Sequence, residues 1–103
     1  MKQTKVLLTD GCIQPQVMRD LLRGLGIRHE DQAIELLLKH GCIFHTPSIG
    51  DPAYYLSSQL HATNPNRARF DGVSRIADVL QLEFPRAAEK LRAQLAILVL
   101  ERL

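Results

Sequence analysis

The stretch Val17–Leu56, VMRDLLRGLGIRHEDQAIELLLKHGCIFHTPSIGDPAYYL, decides how the chain is read. Val17, Met18, Leu21, Leu22 and Leu25 recur at the spacing of one helical face, with Arg19, Asp20 and Arg23 turned away from it. Pro15, just upstream, suits the first position of that helix, where its missing N–H costs no hydrogen bond. Gly26 follows at the point where a left-handed residue ends a helix. A second helix opens on His29-Glu30-Asp31, whose acids complement its dipole, and closes on Lys39-His40, with Gly41 as the stop. Ala33, Ile34 and Leu37 form its core stripe, and Leu36 and Leu38 widen that stripe, so this helix packs on two sides.

Cys42 to Thr46 and Ala53 to Ser57 read as strands through their β-branched and aromatic content. Pro47-Ser48-Ile49-Gly50-Asp51-Pro52 between them continues neither, which makes a hairpin with a long tip. Upstream, Lys5 to Leu8 reads as a short strand ended by Thr9-Asp10-Gly11. Downstream, Leu60 to Phe70 reads as a polar connector around Asn64-Pro65-Asn66 that holds at most one helical turn. Ser74 then caps a helix with Ile76, Ala77, Val79 and Leu80 on its buried side. Leu82-Glu83-Phe84-Pro85 interrupts the chain, and Pro85 starts a last helix to about Arg102. Ala88, Leu91, Leu95, Leu98 and Arg102 mark one face of it, but Ile97, Val99 and Leu100 make its end apolar nearly all round, as in a helix that is buried or pairs with another chain.

At 103 residues the chain is expected to be one domain that buries roughly two-thirds of its unfolded surface. Its parts are a unit at 15–57, a connector at 58–73 and a C-terminal helical pair at 74–103, and its fold class is mainly α with a small β-hairpin or sheet. The longest apolar run, Leu95 to Leu100, falls far short of the roughly 20 residues that span a bilayer. The apolar stretch Val6 to Leu8 is too short for a signal peptide, so a cytoplasmic chain is expected. Cys12 and Cys42 are then free thiols that behave as small buried hydrophobes. The net charge of +2 carries no strong basic excess. Residues 57–103 hold that excess, with seven Lys/Arg against five Asp/Glu, while residues 1–56 hold six of each.

The unit from Pro15 to Leu56 resembles a winged helix-turn-helix. Leu21, Leu22 and Leu25 match the first helix's core positions, and Gly26-Ile27 matches the turn. Ala33, Ile34 and Leu37 match the anchors of the second helix, and HGCIFHTPSIGDPAYYL matches the strand, wing and strand. The resemblance implies a DNA-binding transcriptional regulator in which the second helix enters the major groove and the hairpin meets the backbone or minor groove. Carried onto this chain, Arg28, Gln32, Glu35, Lys39 and His45 would face the duplex, and Arg67, Arg69, Arg75, Arg86 and Lys90 would meet phosphates. Leu95, Ile97, Leu98, Val99 and Leu100 would join two copies, which would require a palindromic site. A fainter echo, SRIADVLQLEFPRAAEKL, places Ile76, Ala77, Leu80, Leu82 and Ala87 at apolar helix-turn-helix positions, although two helices joined by a short turn are ordinary in any helical domain.

The exposed positions point elsewhere. A duplex-reading helix presents Arg, Lys, Asn, Gln or Ser, whereas Glu30, Asp31, Gln32, Glu35 and Lys39 make a net acidic face, and Thr46 to Pro52 holds no Lys or Arg. A winged-helix or helical module that binds a protein, as adaptor or inhibitor of a larger complex, therefore stands beside the DNA reading. His40, Cys42 and His45 form an H-x-C-x-x-H cluster, but it straddles a helix end and a strand, so no metal is expected. Phe44, Tyr54 and Tyr55 read as cross-strand pairs before they read as a base-stacking surface. There is no Gly-rich phosphate loop, nucleophile elbow or HExxH, so neither an enzyme nor a cofactor is expected.

Overall fold

Two glycines make the first corners of the fold. A computed structural model describes residues 12–45, 53–56 and 65–102. Helix α1 (Pro15–Gly24) starts with Pro15 in its first turn and buries Met18, Leu21 and Leu22. At its end Gly26 takes φ +90°, which lets the Gly26 N–H reach the Arg23 carbonyl at 2.9 Å and the Ile27 N–H reach the Leu22 carbonyl at 3.0 Å. This is the Schellman pattern, and Ile27 and Leu22, the residues that it brings together, are both buried. Helix α2 (Glu30–Lys39) closes in the same way. Gly41 at φ +70° donates to Leu38 O at 3.1 Å, the Cys42 N–H reaches Leu37 O at 3.0 Å, and Cys42 and Leu37 are buried. Across the first corner Arg23 Nε bonds Glu30 Oε1 at 2.8 Å and Arg19 lies 3.3 Å from Asp31. Such exposed pairs contribute about 0.2–1 kcal/mol each and set the helix angle more than the stability.

The chain leaves the second corner into a small sheet. Strands β1 (Cys12–Ile13), β2 (Ile43–His45) and β3 (Tyr54–Leu56) pair antiparallel in the order β1-β3-β2. Ile43 stands opposite Leu56, Phe44 opposite Tyr55, and His45 opposite Tyr54, with Ile13 on the other side of Tyr54. The period of two turns Ile13, Ile43, Tyr54 and Leu56 into the core and leaves Phe44 and Tyr55 half-buried on the other face. The hairpin strands lie within the stretches expected for them. β1 is new, since two residues have no room for an alternation signal. The strand expected at Lys5–Leu8 and the tip at Thr46–Pro52 lie outside the described residues, as do Ser57 and the connector from Leu60 to Asn64.

Helices α3 (Pro65–Leu80) and α4 (Pro85–Arg102) pack extensively on each other as a helical hairpin. The expected cap at Ser74 is corrected: α3 begins at Pro65, so residues 65–73 of the expected connector are helical. Its inward stripe starts with half-buried Phe70 and runs through Val73, Ile76, Ala77 and Leu80. The first turn carries no apolar stripe, and Pro65 at the start of a helix costs nothing. Leu82, placed at an apolar position by the fainter echo, is 62% exposed in the turn between α3 and α4. Arg92 of α4 ties that turn down by donating to Gln81 Oε1 at 2.7 Å and to Asp78 Oδ1 at 2.9 Å. Along α4, Ala88, Leu91, Leu95 and Leu98 join one core with α1, α2 and the sheet. Leu36 and Leu38 pack against the same core from α2, whose neighbours are α1 and α3. The fold is thus mainly α with a small antiparallel sheet, a layout compatible with a winged helix.

A Cβ at Gly41 meets no atom within 4 Å, so Gly41→Ala isolates backbone strain; the expected loss is about 1–2 kcal/mol, seen as a fall of several degrees in Tm. Gly24→Ala, inside α1 and equally free of neighbours, is expected to gain roughly 0.5–1 kcal/mol. Thermal melts of the two variants should move in opposite directions; a Gly41→Ala melt that matches wild type would refute the cap.

Candidate nucleic-acid interface

The solvent face of α2 carries Asp31, Gln32, Glu35 and Lys39, with exposed Arg28 just ahead of its first turn. Two of its acids are taken up by α1, Glu30 by Arg23 and Asp31 by Arg19. Among the described residues Glu35 and Lys39 are left without an ion-pair partner on this face, and Arg28 likewise. The face is therefore less acidic than its residue list. It is also not free-standing. Gln32, Glu35, Leu36 and Lys39 line a shallow depression of about 170 Å³ together with Glu83, which the turn between α3 and α4 brings alongside.

The basic residues expected at phosphates do not form one track. Arg86 and Lys90, on the first turns of α4, stand at the Gly26–Ile27 corner, and Arg28 lines an adjoining depression that shares the same two residues. Arg75 sits at the opposite end of α2, about 15 Å along a ten-residue helix. There it donates to the His40 carbonyl at 3.3 Å and places a cation at the negative end of the helix dipole. Arg69 is half-buried on α3 and already has an interaction partner. The side chain of Arg67 lies outside the described residues.

At the hairpin, His45 is exposed and its ring lies 5.0 Å from that of Tyr54, while Phe44 and Tyr55 pair at 5.6 Å. Phe44 and Tyr55 thus pair across the strands as expected but half-buried, off the core face, while buried Tyr54 meets exposed His45 instead of a second aromatic of the expected set. Cys42 is buried with its Sγ 3.8 Å from the Arg75 carbonyl, whereas His40 and His45 are exposed. Among the described residues no three His, Cys, Asp or Glu side chains are grouped so as to hold a metal ion. On the last helix Leu95 and Leu98 are corrected from contact residues to core residues, the latter only 2% exposed, because the face that they share with Leu91 packs inward. Ile97 and Leu100 do face solvent, and the side chain of Val99 lies outside the described residues.

One feature escaped the sequence. An open groove of about 520 Å³ runs between the Gly26 corner and the start of α4, lined by Leu25, Ile27, Phe84 and Pro85 with Arg86 and Lys90 on it. Only the exposed Lys90 and Arg86 beside the apolar Phe84-Pro85 hint at it in the sequence, because its other wall comes from the first helical corner. No described helix is long and apolar enough to cross a membrane. Compared with known proteins, the chain matches no family model, no curated protein and no solved structure.

Burial raises the pKa of the Cys42 thiol, and the neighbouring Arg75 guanidinium offsets part of that rise. A thiol whose folded pKa is raised leaves stability intact below the ordinary thiol value of about 8.5 and erodes it as pH climbs toward the folded value. Denaturant unfolding at increasing alkaline pH should therefore show a steeper decline for wild type than for Cys42→Ala. Equal slopes would mean that the thiol ionises as freely folded as unfolded.

Proposed function

We propose that this chain is a winged-helix protein that binds duplex DNA as a transcriptional regulator. One observation carries the reading: among the described residues β1, α1, α2, β2 and β3 follow in that order as two glycine-capped helices feeding an antiparallel sheet ordered β1-β3-β2. A helix-turn-helix followed by a wing has this construction, and α2 is then the helix that enters the major groove. Arg19 and Arg23 support the reading by neutralising Asp31 and Glu30, the acids that would otherwise repel phosphates. Gln32, Glu35 and Lys39 are the side chains available to base edges, with Arg28 on the backbone at one end and His45 at the foot of the wing. Ile97 and Leu100, both exposed and one turn apart on α4, are the contact through which two copies pair on a palindromic site.

A second reading has its own observation. Glu35 and Glu83 share the depression on α2 with Lys39, and exposed Leu82 adjoins it in the chain, a mixture suited to a protein partner. The chain would then be a non-enzymatic adaptor or inhibitor of a larger complex.

Anisotropy with a short random duplex, titrated from about 50 to about 200 mM salt, separates the two. Binding that weakens steeply with salt is expected, and Arg28→Ala and Lys39→Ala should each lower the log–log slope by about one. Absence of binding at the low end would abandon the first reading for the second. Light scattering of the purified chain decides the pairing: a mass shift from dimer to monomer is expected for Ile97→Asp, and a monomeric wild type would remove the palindrome.

A further inference from the structure

We infer that the groove between the Gly26 corner and the start of α4 is a docking site for an acidic peptide segment of a partner protein, one that inserts a single large apolar side chain between carboxylates. The inference goes beyond the duplex reading and does not depend on it.

The lining argues for a mixed ligand. Half-buried Phe84 and exposed Pro85 supply apolar surface to the groove, and buried Leu25 and Ile27 line it as well. A phosphate backbone has no use for such a surface, whereas one Leu or Phe side chain buried there removes its apolar area from water. The charges argue for the sign of that ligand. Arg86 and Lys90 line the groove without an ion-pair partner among the described residues, and Arg28 adds a third unpaired cation across the corner. Glu30, which lines the depression with Arg28, is already held by Arg23 at 2.8 Å, and exposed Glu89 beside Lys90 makes no ion pair with Arg86 or Lys90. Three cations left without an ion-pair partner among the described residues, beside an apolar groove, are complementary to carboxylates flanking an apolar anchor.

The corner is also shaped for a close approach. Gly26 has no Cβ, and one built there would stand 3.6 Å from Lys90 Nζ, so the ammonium lies directly over the turn.

A display library of random peptides panned against the full chain tests the proposal. Recovered sequences should place two or more Asp or Glu around one large apolar residue, and a synthetic peptide of the recovered sequence should shift the methyl resonances of Leu25 and Ile27. Its affinity should fall at least fivefold in Arg86→Ala/Lys90→Ala and stay within twofold in Arg19→Ala/Arg75→Ala, which removes equal charge outside the groove. Failure to recover peptides, recovery of neutral or basic ones, equal losses in both double variants, or methyl shifts that map away from the groove would each overturn it. Random duplex titrated on the same wild-type sample reports on the DNA reading separately, so either can fail while the other stands.

Discussion

Four backbone hydrogen bonds over two left-handed glycines set the direction of everything between α1 and the sheet. At Gly26 the chain reverses out of α1 with Leu22 and Ile27 pressed together, and at Gly41 it repeats the manoeuvre out of α2 with Leu37 and Cys42. A side chain at either position costs about 1–2 kcal/mol in the left-handed region, so the corners are specified by residue type and not by packing alone. Each corner also delivers an apolar residue, Ile27 or Cys42, into the core at a defined place. The helix-turn-helix and the hairpin are therefore consecutive results of one local device used twice.

Part of the charge on the described residues serves the chain's own geometry. Arg19 and Arg23 hold the acids at the start of α2, Arg92 fastens the turn between the last two helices, and Arg75 caps the carbonyl end of α2. Subtracting those structural roles changes the functional picture more than the net charge of +2 does. Among the described residues, the cations without such a role include Lys39 on the outer face of α2 and Arg28, Arg86 and Lys90 at the Gly26 corner.

The helix pair and the hairpin strands were legible because their signals are local: apolar spacing, a proline at the start, a glycine at the stop, and β-branched runs around a Pro/Gly/Asp tip. The beginning of α3 was not, since its first turn is polar and its apolar stripe starts only at Phe70. β1 was not, because two residues become a strand only when β3 offers an edge. For the candidate interface, residue identities on α2 were readable but their net charge was not, as Glu30 and Asp31 are neutralised by partners on another helix. Leu95 and Leu98 look as available as Ile97 and Leu100 in the sequence; only the packing of α4 separates them. The groove needed two corners of the chain to meet and had no sequence signature of its own.

The central place of β3 has a kinetic consequence. The helical corners and the final hairpin are made of contacts close in sequence, whereas Ile13 must find Tyr54 across the whole helix pair before the sheet is complete. Closing a loop of that length costs entropy that grows as about (3/2)RT ln n and is repaid only when both edges of β3 are occupied. The β1–β3 pairing therefore carries a closure cost that the local β2–β3 pairing does not. The two-residue β1 edge is then expected to open before the hairpin does, so a surface on the hairpin can outlast the loss of its neighbour.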